Sequence, residues 1–347
     1  MDGILPTTAD FETLTHRAAL YLRDILHLVF LHSQKENAIV VYDRTSLLSR
    51  ILEQAYREVL PHALFIDFNT LPPLEIRKIL DALEALDFVA LIQSTNFRLD
   101  AFRIRVELFK RNIKVIEHPH LGRMSDEEAS YYIDSLAYDS VYYRGVGRAL
   151  KAKIDSVSSG IIDSGGEFLL YNSPFESAKV NIGDYTGMTN MGGQFPLGEV
   201  FTEAQDLRAV HGRLKIFCFG DVTYKINTPQ IPIILIIEKG QVVACENATP
   251  EFEHILSLIR RDEGGIVLIR ELGFGLNRAF SKTRTVADTG TYERMCGVHV
   301  SLGAKHGTYG KPGFKRGDGL YHVDVFVDTH TVILGNEVVF KEGSYII

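Results

Sequence analysis

Apolar residues follow two different rhythms along this chain. Between residues 37 and 121, short runs alternate with stretches of helical spacing. Asn37–Tyr42, Ala63–Phe68, Phe88–Gln93 and Ile113–Glu117 are compact, largely apolar runs rich in β-branched and aromatic residues. Such runs suit strands buried on both faces. Between them, Ser46–Leu60 carries Leu47, Leu48, Ile51, Leu52 and Ala55 on one stripe, Pro73–Leu86 has a proline in its first turn, and Ala101–Arg111 is again helical. Residues 8–33 read as a leading helix. Four strands separated by helices predict βαβ units and a parallel sheet of Rossmann-like type. Ser125 and Glu128 have capping-box spacing, which opens a helix through roughly Ala137. Gly147–Val157 is also helical, and Gly145 and Gly147 mark either close packing or a helix break.

From about residue 160 the rhythm shortens. Glu167–Tyr171, Leu214–Phe219, Ile231–Ile237, Gln241–Ala244, Gly265–Ile269, His322–Val327 and Thr331–Leu334 are short β-type runs with glycine turns among them. The chain is therefore expected to be α/β: a Rossmann-like domain over 1–155, then a β-rich α+β domain over 156–347. After the first strand, Asp43-Arg44-Thr45-Ser46 stands where a dinucleotide fold has its glycine-rich turn. No dinucleotide cofactor is expected. His118 and His120 follow the fourth strand, where α/β folds place ligands, but an exposed loop is the plainer reading.

Composition narrows the classes. With 347 residues, 46% hydrophobic and 23% charged, the chain is an ordinary globular protein of about two domains. A net charge of −7 speaks against a broad nucleic-acid footprint. Cys218, Cys245 and Cys296 are odd in number and lack paired spacing, as expected of reduced, packed thiols. Cys296 lies three residues before His299, yet core packing is its simpler role. The first residues lack a basic then apolar secretory signal, and the longest apolar run, Ile231–Ile237, is too short to span a bilayer. A cytoplasmic protein is expected, without membrane or nucleic-acid partners.

The candidate chemistry lies in the second half. Glu199 (in Pro-Leu-Gly-Glu-Val-Phe-Thr), Glu271 (in Arg-Glu-Leu-Gly-Phe-Gly), His299 (in Gly-Val-His-Val-Ser-Leu-Gly) and the His322/Asp324 pair each stand in apolar, glycine-flanked sequence. Three carboxylates and two imidazoles form a hard oxygen and nitrogen set fit for one or two divalent cations. His322 and Asp324, two apart on a strand, share a face. Singly, each has a plainer role: a cap, an ion pair with Arg270 or Arg278, a satisfied core histidine.

In order and local sequence, these segments resemble those of the thermophilic-type aminopeptidases (aminopeptidase T and its relatives, peptidase family M29). The resemblance is specific over roughly 190–340. It implies that Glu199, Glu271, His299, His322 and Asp324 hold two divalent ions (Zn, Co or Mn), with Glu271 bridging them or positioning water. It further implies removal of N-terminal residues from short peptides by a homodimer or larger assembly. Where that family has a catalytic tyrosine, this chain has His306, with Tyr309 slightly beyond; either would stabilise the oxyanion. The segments also resemble the 2,5-dihydroxypyridine dioxygenases, which hold one Fe(II); here His299, His322 and Asp324 would supply two imidazoles and one carboxylate for a small aromatic substrate. A non-catalytic relative of the fold is the third reading.

Overall fold

The computed structural model describes residues 8–99, 103–304 and 320–347. The chain divides into two compact units: Met1–Ser140 with Gly183–Leu197, and Val141–Ile182 with Gly198–Ile347.

The first unit is a five-stranded parallel sheet. Its strands are β1 (Ala38–Tyr42), β2 (Leu64–Asp67), β3 (Phe88–Ile92), β4 (Lys114–His118) and, far later in the chain, β8 (Gly192–Gln194), in the order β2-β1-β3-β4-β8. The leading helix is α1 (Thr8–Asp24), ending in a π-helical turn at Ile25–Val29. The connecting helices are α2 (Leu47–Val59), α3 (Pro73–Asp81), α4 (Ile104–Phe109) and α5 (Ala129–Ser135). On one sheet face Ile39, Val41, Val89 and Val115 pack with Ile76 and Leu80 of α3 and Leu108 of α4. On the other, His118 lies between Tyr56 of α2 and Tyr132 of α5. This doubly covered sheet agrees with the apolar runs. The Ser125/Glu128 box forms, with each backbone N–H donating to the other side chain (2.7 and 3.3 Å), one turn before α5.

Two features depart from the sequence reading. A single break near 155 has the chain cross once. Instead, α6 (Ser140–Ser156) falls almost wholly in the second unit, and Gly183–Leu197 returns to the first. The returning strand β8 begins with Gly192-Gly193, which carries no strand pattern. At Gly192 (φ 125°) a Cβ would lie 1.9 Å from the Val115 carbonyl oxygen, so its pairing with β4 requires glycine. Within α6, Gly147 serves packing: a Cβ there would sit 2.6 Å from Ile182.

The second unit is a 14-stranded antiparallel sheet. Its strands are β5 (Gly160–Asp163), β6 (Phe168–Tyr171), β7 (Lys179–Asn181), β9 (Glu199–Glu203), β10 (Val210–Gly220), β11 (Ile226–Asn227), β12 (Ile233–Glu238), β13 (Gln241–Glu246), β14 (Ile269–Gly275), β15 (Gly297–Gly303), β16 (His322–Val327), β17 (Thr331–Leu334), β18 (Glu337–Lys341) and β19 (Ser344–Tyr345). Besides α6, this unit carries α7 (Pro250–Asp262) and the one-turn α8 (Thr289–Tyr292). The run expected at Gly265–Ile269 lies just ahead of the actual strand, which carries the Glu271 motif itself. Among the described residues, no helix is long and apolar enough to cross a membrane.

Candidate metal centre

Strands β16-β15-β14-β9 lie side by side, and their register decides which side chains meet. Gly273 on β14 pairs with His299 on β15 and Phe201 on β9, while His299 pairs with Phe326 on β16. Alternation along each strand then puts Glu199, Glu271, His299, His322 and Asp324 on one face. The opposite face carries Val200, Leu272, Phe274, Val298, Val300, Val323 and Val325, all buried. On that apolar face, Phe219 of β10 meets Phe252 of α7 at 4.8 Å between ring centroids.

A bulge adjusts the register. Ile269 pairs with Leu302 and Leu272 with Val300, so β14 has one extra residue at Arg270-Glu271. There the Glu271 N–H donates to Ser301 Oγ (3.0 Å), while Arg270 Nε donates to the Gly303 carbonyl (3.2 Å) and its guanidinium approaches Glu203 (3.5 Å). Both Ile269 and Leu272 thereby stay in the core while Glu271 faces the centre.

Glycines make the room. A Cβ on Gly273 would stand 2.1 Å from the His299 ring, so the imidazole lies directly over that position. A Cβ on Gly275 would stand 1.9 Å from the Met295 carbonyl oxygen. The segment after α8 therefore crosses over β14 there, held by Asn277 N–H to the Arg294 carbonyl (2.8 Å) and Cys296 N–H to the Asn277 carbonyl (3.1 Å). That crossing delivers Glu293 and Arg294 to the cluster.

His299 Nε2 lies 3.5 Å from Glu199 Oε1 and 3.6 Å from Glu271 Oε1. Arg294 Nη1 lies 2.9 Å from the other Glu199 oxygen, Oε2, and also touches Glu293. The ligand atoms of Glu199, Glu293 and His299 all fall within 4.8 Å of one another. His322 Nε2 is 3.2 Å from Asp324 Oδ1, and its Nδ1 reaches the Ala304 carbonyl at 3.1 Å. An Nδ1–H donating to that carbonyl leaves the Nε2 lone pair for a cation.

The field here is strongly anionic. Burial opposes charge on His299, yet Glu271, Asp324 and Glu199 push its pKa up to about 9. Burial likewise opposes charge on His322, but Asp324 and Glu271 raise it to about 10. Burial lifts Glu293 to about 8, with the Arg294 charge opposing and Glu199 adding, and burial also raises Glu199. Asp324 is lowered: the His322 and His299 charges outweigh its burial. A field that holds protons on two buried imidazoles also attracts a metal ion.

The donor set fits a divalent cation. His299 Nε2 and Asp324 Oδ1 are buried, and among the described residues neither has a hydrogen bond of acceptable geometry. Leaving such atoms unsatisfied is costly unless a cation serves them. Glu199, Glu271 and Asp324 with two imidazoles face that space, the mix that Zn, Co or Mn takes, and Glu293 stands beside them paired with Arg294.

The five expected side chains share this sheet face, and the compact group of ligand atoms among the described residues is Glu199, Glu293 and His299. His306 and Tyr309 lie outside the described residues. Glu293 and Arg294 were missed because Tyr292-Glu293-Arg294-Met295 looks like an ordinary helix end with a local ion pair; their only signal is nearness to His299. Cys296 points elsewhere, its Sγ 3.5 Å from the Gly343 carbonyl. His118 is in no exposed loop. It ends β4 fully buried, bonded to the Tyr56 (2.9 Å) and Tyr132 (2.7 Å) hydroxyls, and burial lowers its pKa to about 3.

No family model matches the chain, and no curated protein matches it. Solved structures do. Wild-type AmpT from Thermus thermophilus has a TM-score of 0.61 and 14% identity, over 96% of this chain and 100% of that one. The 2,5-dihydroxypyridine dioxygenase from Pseudomonas putida KT2440 has a TM-score of 0.59 and 13% identity, over 98% of each chain. These represent the two groups that the sequence motifs resemble, and at such identities what they share with this chain is the fold.

Proposed function

We propose that this protein is a metal-dependent aminopeptidase that releases N-terminal residues from short peptides. One observation carries the reading: Glu199, Glu271, His299, His322 and Asp324 converge on one sheet face, with a buried imidazole nitrogen and carboxylate oxygen left unbonded among the described residues. The likeness of fold to AmpT supports it, alongside the motif resemblance read from the sequence.

Those five side chains would hold the metal. When bound, a divalent cation acts as a Lewis acid that polarises the scissile carbonyl and makes a water nucleophilic near neutral pH. Glu271, 3.6 Å from His299, orients the attacking water, takes its proton and returns it to the departing amine. The surplus of carboxylates over the single Arg294 guanidinium attracts the ammonium of a peptide N-terminus and favours free termini over blocked ones. His306 or Tyr309 is assigned the oxyanion.

The test is hydrolysis. Chelator-treated protein reloaded with Zn, Co or Mn should release product from an aminoacyl anilide without oxygen, and acetylating the substrate amine should abolish the reaction. The fold likeness to the dioxygenase, together with the His299, His322 and Asp324 donors, supports a second reading as a mononuclear Fe(II) enzyme. Oxygen uptake with a dihydroxypyridine and Fe(II), with inert peptides, would select that reading instead.

A further inference from the structure

We propose that Arg294 is a built-in cation that takes the place of a second metal ion, so that the centre holds one divalent ion per chain. The inference rests on the metal reading above and departs from the two ions that the sequence resemblance implies.

The acidic cluster has two sides. On one, Arg294 Nη1 lies 2.9 Å from Glu199 Oε2 and touches Glu293, so both carboxylates already face a positive charge. On the other lie Glu199 Oε1, Glu271 Oε1, His299 Nε2, His322 Nε2 and Asp324 Oδ1. Both of the ligand atoms left without a hydrogen bond, His299 Nε2 and Asp324 Oδ1, belong to this second side. The need for a cation is therefore concentrated on one side.

Arg294 cannot readily withdraw. It is 5% exposed, and its backbone is fixed over Gly275, which leaves no space for a Cβ beneath it. The bonds between Asn277 and residues 294 and 296 lock the segment. Charge points the same way: Arg294 already supplies positive charge to the Glu199 and Glu293 carboxylates, on the side where a second divalent ion would otherwise bind.

The experiment counts bound metal in the full-length chain. Native protein, Arg294→Met and Glu293→Gln are stripped with a chelator and equilibrated with Zn²⁺. Bound ions are then measured by mass spectrometry, and affinity by competition with a chromophoric chelator. Native protein should hold one ion and Arg294→Met two. Glu293→Gln should hold one ion with affinity within about threefold of native, because Glu293 serves Arg294 rather than the metal. A lost ligand would weaken binding about 10-fold or more.

Arg294→Met leaves buried Glu199 and half-buried Glu293 without their cation, so its unfolding temperature is measured with and without Zn²⁺; recovery with metal is expected. Two ions on native protein would overturn the inference and leave the metal reading intact, as would a folded Arg294→Met with one. A 10-fold affinity loss in Glu293→Gln would also overturn it, whether or not Arg294→Met folds. No ion on native protein would remove both the inference and the metal reading.

Discussion

Gly273 and His299 are coupled across neighbouring strands. The ring occupies the space a Cβ would need, 2.1 Å away. Gly273→Ala should therefore push the imidazole out of place, destabilise the protein by about 1–3 kcal/mol as overpacking does, and lower metal affinity at least 10-fold. Calorimetry and metal titration would check this; unchanged affinity would mean the ring has another resting place. His118 gives a second prediction. Its folded pKa of about 3 lies below the ordinary histidine value, because burial disfavours the charged ring. Below about pH 6.5 the unfolded chain binds a proton that the folded chain refuses, so stability is lost as pH falls toward 3, by up to about 1.4 kcal/mol per pH unit. Urea unfolding of native protein and His118→Gln at pH 7, 5 and 4 should show a flatter pH dependence in the variant. Parallel curves would assign the acid sensitivity to other groups.

Regular periodicity made most elements legible. The four apolar runs became β1 to β4, and glycine-flanked acidic and histidine residues became one face of β9, β14, β15 and β16. Helix α7 is not among the expected elements although its Thr249 cap, Pro250 and the stripe Phe252, Ile255, Leu256 and Ile259 are local signals; other departures depend on contacts that leave no local pattern. Strand β8 is a strand because Val115 lies beside it, and its Gly192-Gly193 start has no side chains to alternate. The Arg270-Glu271 bulge shows itself only in the pairing of β14 with β15. Glu293 and Arg294 reach the centre because Gly275 lets the backbone cross. Gly192→Val should detach β8, since its φ of 125° and the Val115 carbonyl exclude a side chain. Amide exchange at Val115, which donates to the Met191 carbonyl, should then rise by orders of magnitude while β14 and β15 keep their protection. Uniform loss of protection would show that the two units unfold together.

At the scale of the whole molecule, the five candidate ligands and Arg294 all lie within the second unit. Asp324→Ala or His322→Ala should reduce metal content and lower turnover on aminoacyl substrates by two orders of magnitude or more, while circular dichroism stays close to native. Full metal content with near-normal turnover in either variant would remove these residues from the centre. The most direct test of the account is anomalous diffraction from a crystal soaked in Zn²⁺ or Co²⁺, with data on both sides of the metal edge. The account predicts a peak among Glu199, Glu271, His299, His322 and Asp324, about 2.0–2.2 Å from His299 Nε2 and from an Asp324 oxygen. A fully soaked crystal with no peak there, or with its strongest peak on another face of the protein, would contradict it.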